Sequence, residues 1–214
     1  MLKFILMFYM MFLEVIKMNS RLMFCFGAMG CGKTRRLQGE YHSKIEDGFN
    51  VIVMKPVIDK KGDNKTVARD GAMTDVDIMI DSSDDIYMMM AKYLIDHNVD
   101  FILVDEAQFL SSKQVDELAM VVDVLDINVI CYGLRTDFRG LLFEGSKRLL
   151  ETADYLEMIK RQCSCGNDKI YNMRLYNGKP VFEGEVVAID GIDATYESLC
   201  RKCYHNYKKK ILKK

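Results

Sequence analysis

Gly27-Ala-Met-Gly-Cys-Gly-Lys33-Thr34 sets two glycines, a lysine and a threonine at the spacing G-x-x-x-x-G-K-[ST]. A loop of this kind curls its backbone N–H groups round a polyphosphate. Gly27, Gly30 and Gly32 supply the close approach that a Cβ would block. Ala28, Met29 and Cys31 take part through their backbone, with the Cys31 thiol as a small space-filling group. Lys33 would offset charge on the β- and γ-phosphates, and the Thr34 hydroxyl would ligate Mg²⁺. The motif therefore predicts nucleoside triphosphate binding. A second acidic pair follows at Asp105 and Glu106, which end the apolar run Phe101-Ile-Leu-Val. Beside such a loop, Asp105 is expected to hold Mg²⁺ through water, and Glu106 to orient or deprotonate an attacking hydroxyl.

A third constellation lies near the C-terminus. Cys163-x-Cys165 and Cys200-x-x-Cys203 are 34 residues apart (166 to 199). Four thiolates complete a tetrahedral Zn²⁺ site, and a closed Cys₄ sphere leaves no room for water or substrate, so that zinc would be structural. His205, two residues past Cys203, is an alternative for one ligand. Seven cysteines in 214 residues, an odd count unevenly spread, fit reduced thiols in a cytosol better than a disulfide scaffold.

These groups need elements to position them. Leu22–Phe26, Val51–Met54, Phe101–Val104, Val129–Tyr132 and Tyr155–Ile159 read as short buried parallel strands. Helical patterns over Lys33–Ile45, Ile86–His97, Gln114–Leu125 and Phe143–Thr152 alternate with them, Ser112 being the expected cap of the third. Strand–helix alternation predicts an α/β fold, a P-loop (RecA-like) parallel sheet flanked by helices on both faces. The connection from Pro56 to Asp85 shows no period and is long for a loop without a function. Met88-Met89-Met90 reads as packing. After residue 160, two extended runs, Ile170–Leu175 and Val186–Ile189, lie between the cysteine pairs and predict a small zinc-held appendage. The expected organisation is an apolar extension over 1–17, a nucleotide-binding domain over 18–160, the zinc-held unit over 161–207 and a frayed basic tail over 208–214.

Half of the residues are hydrophobic and 29% are charged, as in a soluble globular chain. A net charge of −1, with no basic stripe outside the tail, argues against a nucleotide-driven motor that binds DNA through a zinc ribbon. The presence of Lys33, Thr34, Asp105 and Glu106 together argues against a non-catalytic nucleotide-binding subunit. Residues 1–17 are apolar, but Glu14 and Lys17 interrupt them and the stretch is short for a span. Met18 is the expected working start, and no membrane or nucleic-acid partner is expected.

Asp105-Glu-Ala-Gln108-Phe109-Leu110, Tyr132-Gly-Leu134-Arg-Thr-Asp137-Phe138-Arg-Gly140 and Tyr196-Glu-Ser-Leu-Cys200-Arg-Lys-Cys203 resemble the signatures of the type II thymidine kinases, the zinc-containing P-loop family. The resemblance spans roughly residues 21 to 207. It implies ATP and thymidine as substrates, Glu106 as base for the thymidine 5′-hydroxyl, and Gln108 among the nucleotide-binding residues. It also implies that Phe109 stacks on thymine and that Met29, Leu134 and Phe138 line the base pocket. Tyr196 would be the lasso tyrosine, the Val187–Ile189 segment would meet thymine through its backbone, and Asp59 would lie near phosphate and sugar. A cytoplasmic homotetramer is implied as well. Departures from the family pattern are Lys61 where some members carry Arg, and the tight C-x-C pair at Cys163 and Cys165.

Overall fold

Strict alternation of apolar side chains to two faces builds the central sheet. The computed structural model describes residues 20–59, 62, 64–68, 71–184 and 194–212. The expectations for residues 1–17, Lys61, Val187 and the Val186–Ile189 run lie outside the described residues. Six parallel strands lie in the order β5-β2-β6-β7-β1-β8: β1 (Leu22–Phe26), β2 (Val51–Pro56), β5 (Ile78–Ile80), β6 (Phe101–Val104), β7 (Asn128–Gly133) and β8 (Tyr155–Met158). The phosphate-loop strand β1 and the acidic strand β6 thus flank β7, as a RecA-like arrangement requires.

One face of the sheet presents Phe24, Ile52, Met54, Ile102, Val104, Val129 and Cys131 to helices α2 (Ile86–Tyr93), α3 (Ser112–Leu125) and α4 (Glu144–Thr152). The other presents Cys25, Val51, Val53, Leu103, Ile130 and Tyr132 to Leu37 and Tyr41 of α1 (Lys33–Glu46). A one-residue slip in β1, β2, β6 or β7 would exchange the two cores, so burial on both faces fixes their register, whereas β8, expected to be buried, is an edge strand with Tyr155 and Leu156 exposed.

Several expectations shift on contact with the structure. The cap of α3 is Ser111, not Ser112. Its hydroxyl accepts from Gln114 N–H while the Gln114 side chain accepts from Ser111 N–H, a reciprocal box that starts the helix at Ser112. Helix α2 stops at Tyr93, four residues before His97, and of the methionine run Met90 is buried whereas Met88 is 49% exposed. The aperiodic Pro56–Asp85 connection holds β3 (Lys65–Val67) paired antiparallel with β4 (Met73–Asp75), and then the edge strand β5. Strands of three residues carry too little alternation to register as a period.

Beyond β8 a second sheet, in the order β10-β9-β11, is formed by β9 (Tyr171–Tyr176), β10 (Lys179–Val181) and β11 (Ala194–Leu199), with α5 (Arg201–Leu212) following. Helix α5 carries regular structure into the basic cluster where a frayed tail was expected. Cys163, Met173, Leu199, Cys200 and Tyr204 form its small core. Among the described residues no helix is long and apolar enough to cross a membrane.

Candidate active site

The phosphate loop joins β1 to α1. A Cβ on Gly27 would come within 2.5 Å of Cys31 Sγ and 2.7 Å of Ile159 O, so only glycine fits there. Gly32 takes φ 98° as it enters α1, and it offers no side chain to the first helical N–H groups. Those donors, and the positive end of the helix, are left for an anion. Lys33 is 7% exposed, and its ammonium donates to the carbonyls of Gly27 (3.3 Å) and Ala28 (3.1 Å). Met29, Gly30, Gly32, Lys33, Thr34 and Glu106 line one open cleft of ≈ 280 Å³, joined by Leu134, Arg161, Arg35, Val67 and Ala68.

The acids stand where β6 ends. Asp105 is 4% exposed, and burial, reinforced by the Glu106 charge, pushes its carboxyl up to about 7, with Lys33 pulling the other way. A carboxyl stripped of water is one that a divalent cation would hold in its charged form; Asp105 does not itself line the cleft, but its neighbour Glu106 and the half-buried Thr34 do. The donor set therefore fits Mg²⁺. Glu106 adopts φ 50°, ψ 36°, a left-handed conformation rare for a residue with a Cβ, and opens a short 3₁₀ turn over Ala107–Phe109. Gln108 Nε2 donates to Glu106 Oε2 at 2.6 Å, and Gln108 Oε1 accepts from Leu134 N–H at 2.9 Å. Leu134 N–H can only donate, so it assigns Oε1 and leaves the amide group for the carboxylate. Gln108, expected among the nucleotide-binding residues, is 2% exposed and is not on the cleft wall; it braces Glu106 instead.

Of the residues expected to hold the nucleoside, Met29 and Leu134 line the cleft, whereas Asp59, Phe109, Phe138 and Tyr196 do not. Phe109 is half-buried, edge-on to Phe143 with ring centroids 5.7 Å apart. The carbonyl of Leu134 accepts from Ser146 Oγ of α4. Phe138 is fully buried beneath the Arg174 guanidinium, which lies 3.8 Å from the ring centroid, and Arg174 Nε donates to the Tyr196 hydroxyl at 2.9 Å. One arginine therefore joins Phe138 to Tyr196. Asp59 pairs with the buried Lys55 ammonium at 2.8 Å, and its charge is felt at Asp105.

All four expected ligand sulfurs, of Cys163, Cys165, Cys200 and Cys203, lie within 4.8 Å of one another. A tetrahedral zinc–thiolate centre needs sulfurs about 3.8 Å apart, from Zn–S bonds of about 2.3 Å. The Asn167 backbone N–H and side chain lower the Cys165 thiol, while hydrogen bonds with Cys165 and Cys200 raise that of Cys203, as in a cluster whose sulfurs share protons. These donors fit a soft divalent metal. His205 packs edge-on to Tyr171 and Tyr204, and the group of candidate ligands is made of cysteines alone.

Reading the sequence missed Lys55, Arg161, Arg174 and Asn172. Lys55 and Arg174 each interrupt an apolar strand (VIVMKP and YNMRLY), and a charge inside a buried run was the available signal. No comparable mark singles out Arg161 or Asn172.

Fold and cleft together define a nucleotide-binding P-loop protein with Glu106 on the cleft wall and the buried Asp105 beside it. A family model for thymidine kinase matches residues 20–204, and the chain belongs to the thymidine kinase family. It is 42% identical over 190 residues to the thymidine kinase of Shewanella oneidensis, covering 88% of this chain and 98% of that one. It is 40% identical over 194 residues to the thymidine kinase of Enterobacteria phage T4, covering 90% and 99%. Among solved structures it overlaps an AMPPCP-bound DnaA from Aquifex aeolicus at a TM-score of 0.38 and 22% identity, over 69% of this chain and 42% of that one, a likeness too loose to bear on function.

Proposed function

We propose that this chain transfers the γ-phosphoryl group of ATP to the 5′-hydroxyl of thymidine, giving ADP and thymidine 5′-monophosphate for DNA synthesis. The observation that carries the reading is that Glu106 shares one cleft with Lys33 and Thr34, within a chain of this family. The loop Gly27–Thr34 binds the triphosphate through the backbone N–H groups left to it, those of Gly27, Met29 and Cys31 being donated within the protein, and Lys33 offsets the charge gathering on the β- and γ-phosphates. Glu106, held by Gln108, accepts the proton of the 5′-hydroxyl as the new O–P bond forms and the bond to the β-phosphate oxygen breaks. Thr34 and Asp105 would hold Mg²⁺, which supplies neutralising charge at the phosphates when bound.

On the nucleoside side, Phe109 stacks on the base while Met29, Leu134 and Phe138 shape its pocket. Tyr196 lies near the deoxyribose and base, the Val187 segment would meet thymine through its backbone, and Asp59 lies towards the sugar and phosphate. Zn²⁺ on the four cysteines would be structural. A nucleotide domain over 18–160, a zinc-held unit over 161–207, a homotetrameric assembly and a cytoplasmic setting complete the proposal.

The test is ADP release by purified protein with and without thymidine. The reading requires turnover that rises with thymidine and saturates. Release driven instead by single-stranded DNA, or indifferent to nucleoside, would overturn it in favour of a motor-type ATPase.

A further inference from the structure

Strands β9 and β11 reach past the cysteine cluster to grip the phosphate loop at one residue. Met29 N–H donates to Asn172 Oδ1 at 2.7 Å, and Ser198 Oγ donates to Met29 O at 2.6 Å. Both polar groups of the Met29 backbone are thus occupied, and this part of the loop is pinned. Asn172 and Ser198 are direct partners in the β9–β11 register, with Ser198 Oγ 3.4 Å from Asn172 Oδ1. Asn172 is 3% exposed. Because Met29 N–H can only donate, it assigns Oδ1 as the acceptor and turns Nδ2 the other way. That nitrogen faces Thr136 O at 3.4 Å, in the segment that carries Leu134 and Phe138.

One buried amide therefore touches both halves of the site without lining the cleft. It bonds the loop that cradles phosphate on one side and the segment expected to hold the base on the other. The strands that carry Asn172 and Ser198 also carry Met173 and Leu199, which pack with Cys163 and Cys200. We propose that Asn172, assisted by Ser198, is a positioning residue that sets the phosphate loop and the Thr136–Phe138 segment in register with one another, by way of the cysteine-held sheet. The proposal rests on the thymidine kinase reading, since it takes the two segments to serve two substrates.

Substitutions that separate the two bonds test it. Asn172→Asp keeps an oxygen for Met29 N–H but turns a second oxygen, in place of the amide donor, towards the Thr136 carbonyl. It should raise the thymidine KM about tenfold, as expected for losing a buried hydrogen bond, and leave the ATP KM within about twofold. Ser198→Ala, which leaves the Met29 carbonyl unpaired, should do the reverse. Asn172→Leu should raise both. A merely structural residue would lower the thermal midpoint without sorting the substrates. Equal shifts of both KM values in Asn172→Asp, or an unchanged ATP KM in Ser198→Ala, would overturn the proposal, and these two mild variants suffice should Asn172→Leu fail to fold. Wild-type protein without thymidine-dependent turnover would sink the kinase reading alone. In that event ADP titration still decides the Met29 contact, with weaker binding expected in Ser198→Ala and unchanged binding contradicting it.

Discussion

At the scale of single residues, the site depends on a glutamate held in an unfavourable conformation. A left-handed φ at Glu106 costs roughly 1–2 kcal/mol, and the turn Ala107–Phe109 together with the Gln108 amide sustains it. The Gln108 side chain is itself confined, because a Cβ on Gly133 would sit 2.9 Å from its Oε1. Gln108→Leu should therefore lower kcat at least about tenfold, the loss expected when a base is mispositioned, with the ATP KM within about twofold. Steady-state kinetics with each substrate varied would check this. A raised ATP KM with unchanged kcat would return Gln108 to the nucleotide-binding residues. The sequence made Lys33, Thr34, Asp105 and Glu106 legible because phosphate chemistry demands those types at that spacing. The bridge from Glu106 through Gln108 to Leu134 was not legible, since Gln108 and Leu134 stand 26 positions apart and meet by a contact that only the fold creates.

At the scale of elements, the inner strands β1, β2, β6 and β7 were readable because each is an apolar run buried on both faces. The strands of three residues, β3, β4, β5 and β10, were hidden by their shortness. The close fit of α4 against the turn that carries Glu106 was equally hidden. A Cβ on Gly145 would come within 2.6 Å of the carbonyls of both Ala107 and Leu110. Gly145→Ala should displace that turn and lower kcat several-fold while the protein remains folded, as kinetics with circular dichroism would reveal; full activity would show that the turn tolerates the shift.

The central strands β1 and β7 also predict alkaline lability. Burial, followed by the Glu157 charge, pushes the Cys25 thiol up to about 12 from an ordinary 9.0, and burial raises Cys131 and Tyr132 as well. A thiol whose pKa is raised on folding stabilises fully below its unfolded value, and this contribution fades as pH climbs towards the folded one. Stability should thus fall above about pH 9 for the thiols and above about pH 10 for Tyr132, by at most about 1.4 kcal/mol per pH unit for each group. Urea melts across that window should show a shallower decline in Cys25→Ala; an identical slope would contradict this contribution.

At the scale of the molecule, a sheet of six parallel strands supplies the phosphate loop and the acids, and a three-stranded sheet beside the cysteine cluster supplies Tyr196, Arg174 and Asn172. Among the described residues the smaller sheet has a core of only a few buried side chains, so the metal expected on its four cysteines should dominate its stability. Purified protein should carry about one zinc per chain, consistent with a single Cys₄ site. Chelation, or Cys200→Ser, should lower the thermal midpoint and raise the thymidine KM. Unchanged stability and kinetics in metal-free protein would mean the thiols are only packing.

The central claim is that Glu106 takes the proton of a nucleoside hydroxyl facing a triphosphate at Lys33 and Thr34. Transfer of labelled γ-phosphate from ATP to thymidine by Glu106→Gln, with ATP affinity measured on the same preparation, tests it most directly. The account predicts a kcat lowered by about a hundredfold or more, in the range a general base contributes, with ATP affinity within about twofold of wild type. A wild-type kcat in that variant would contradict it.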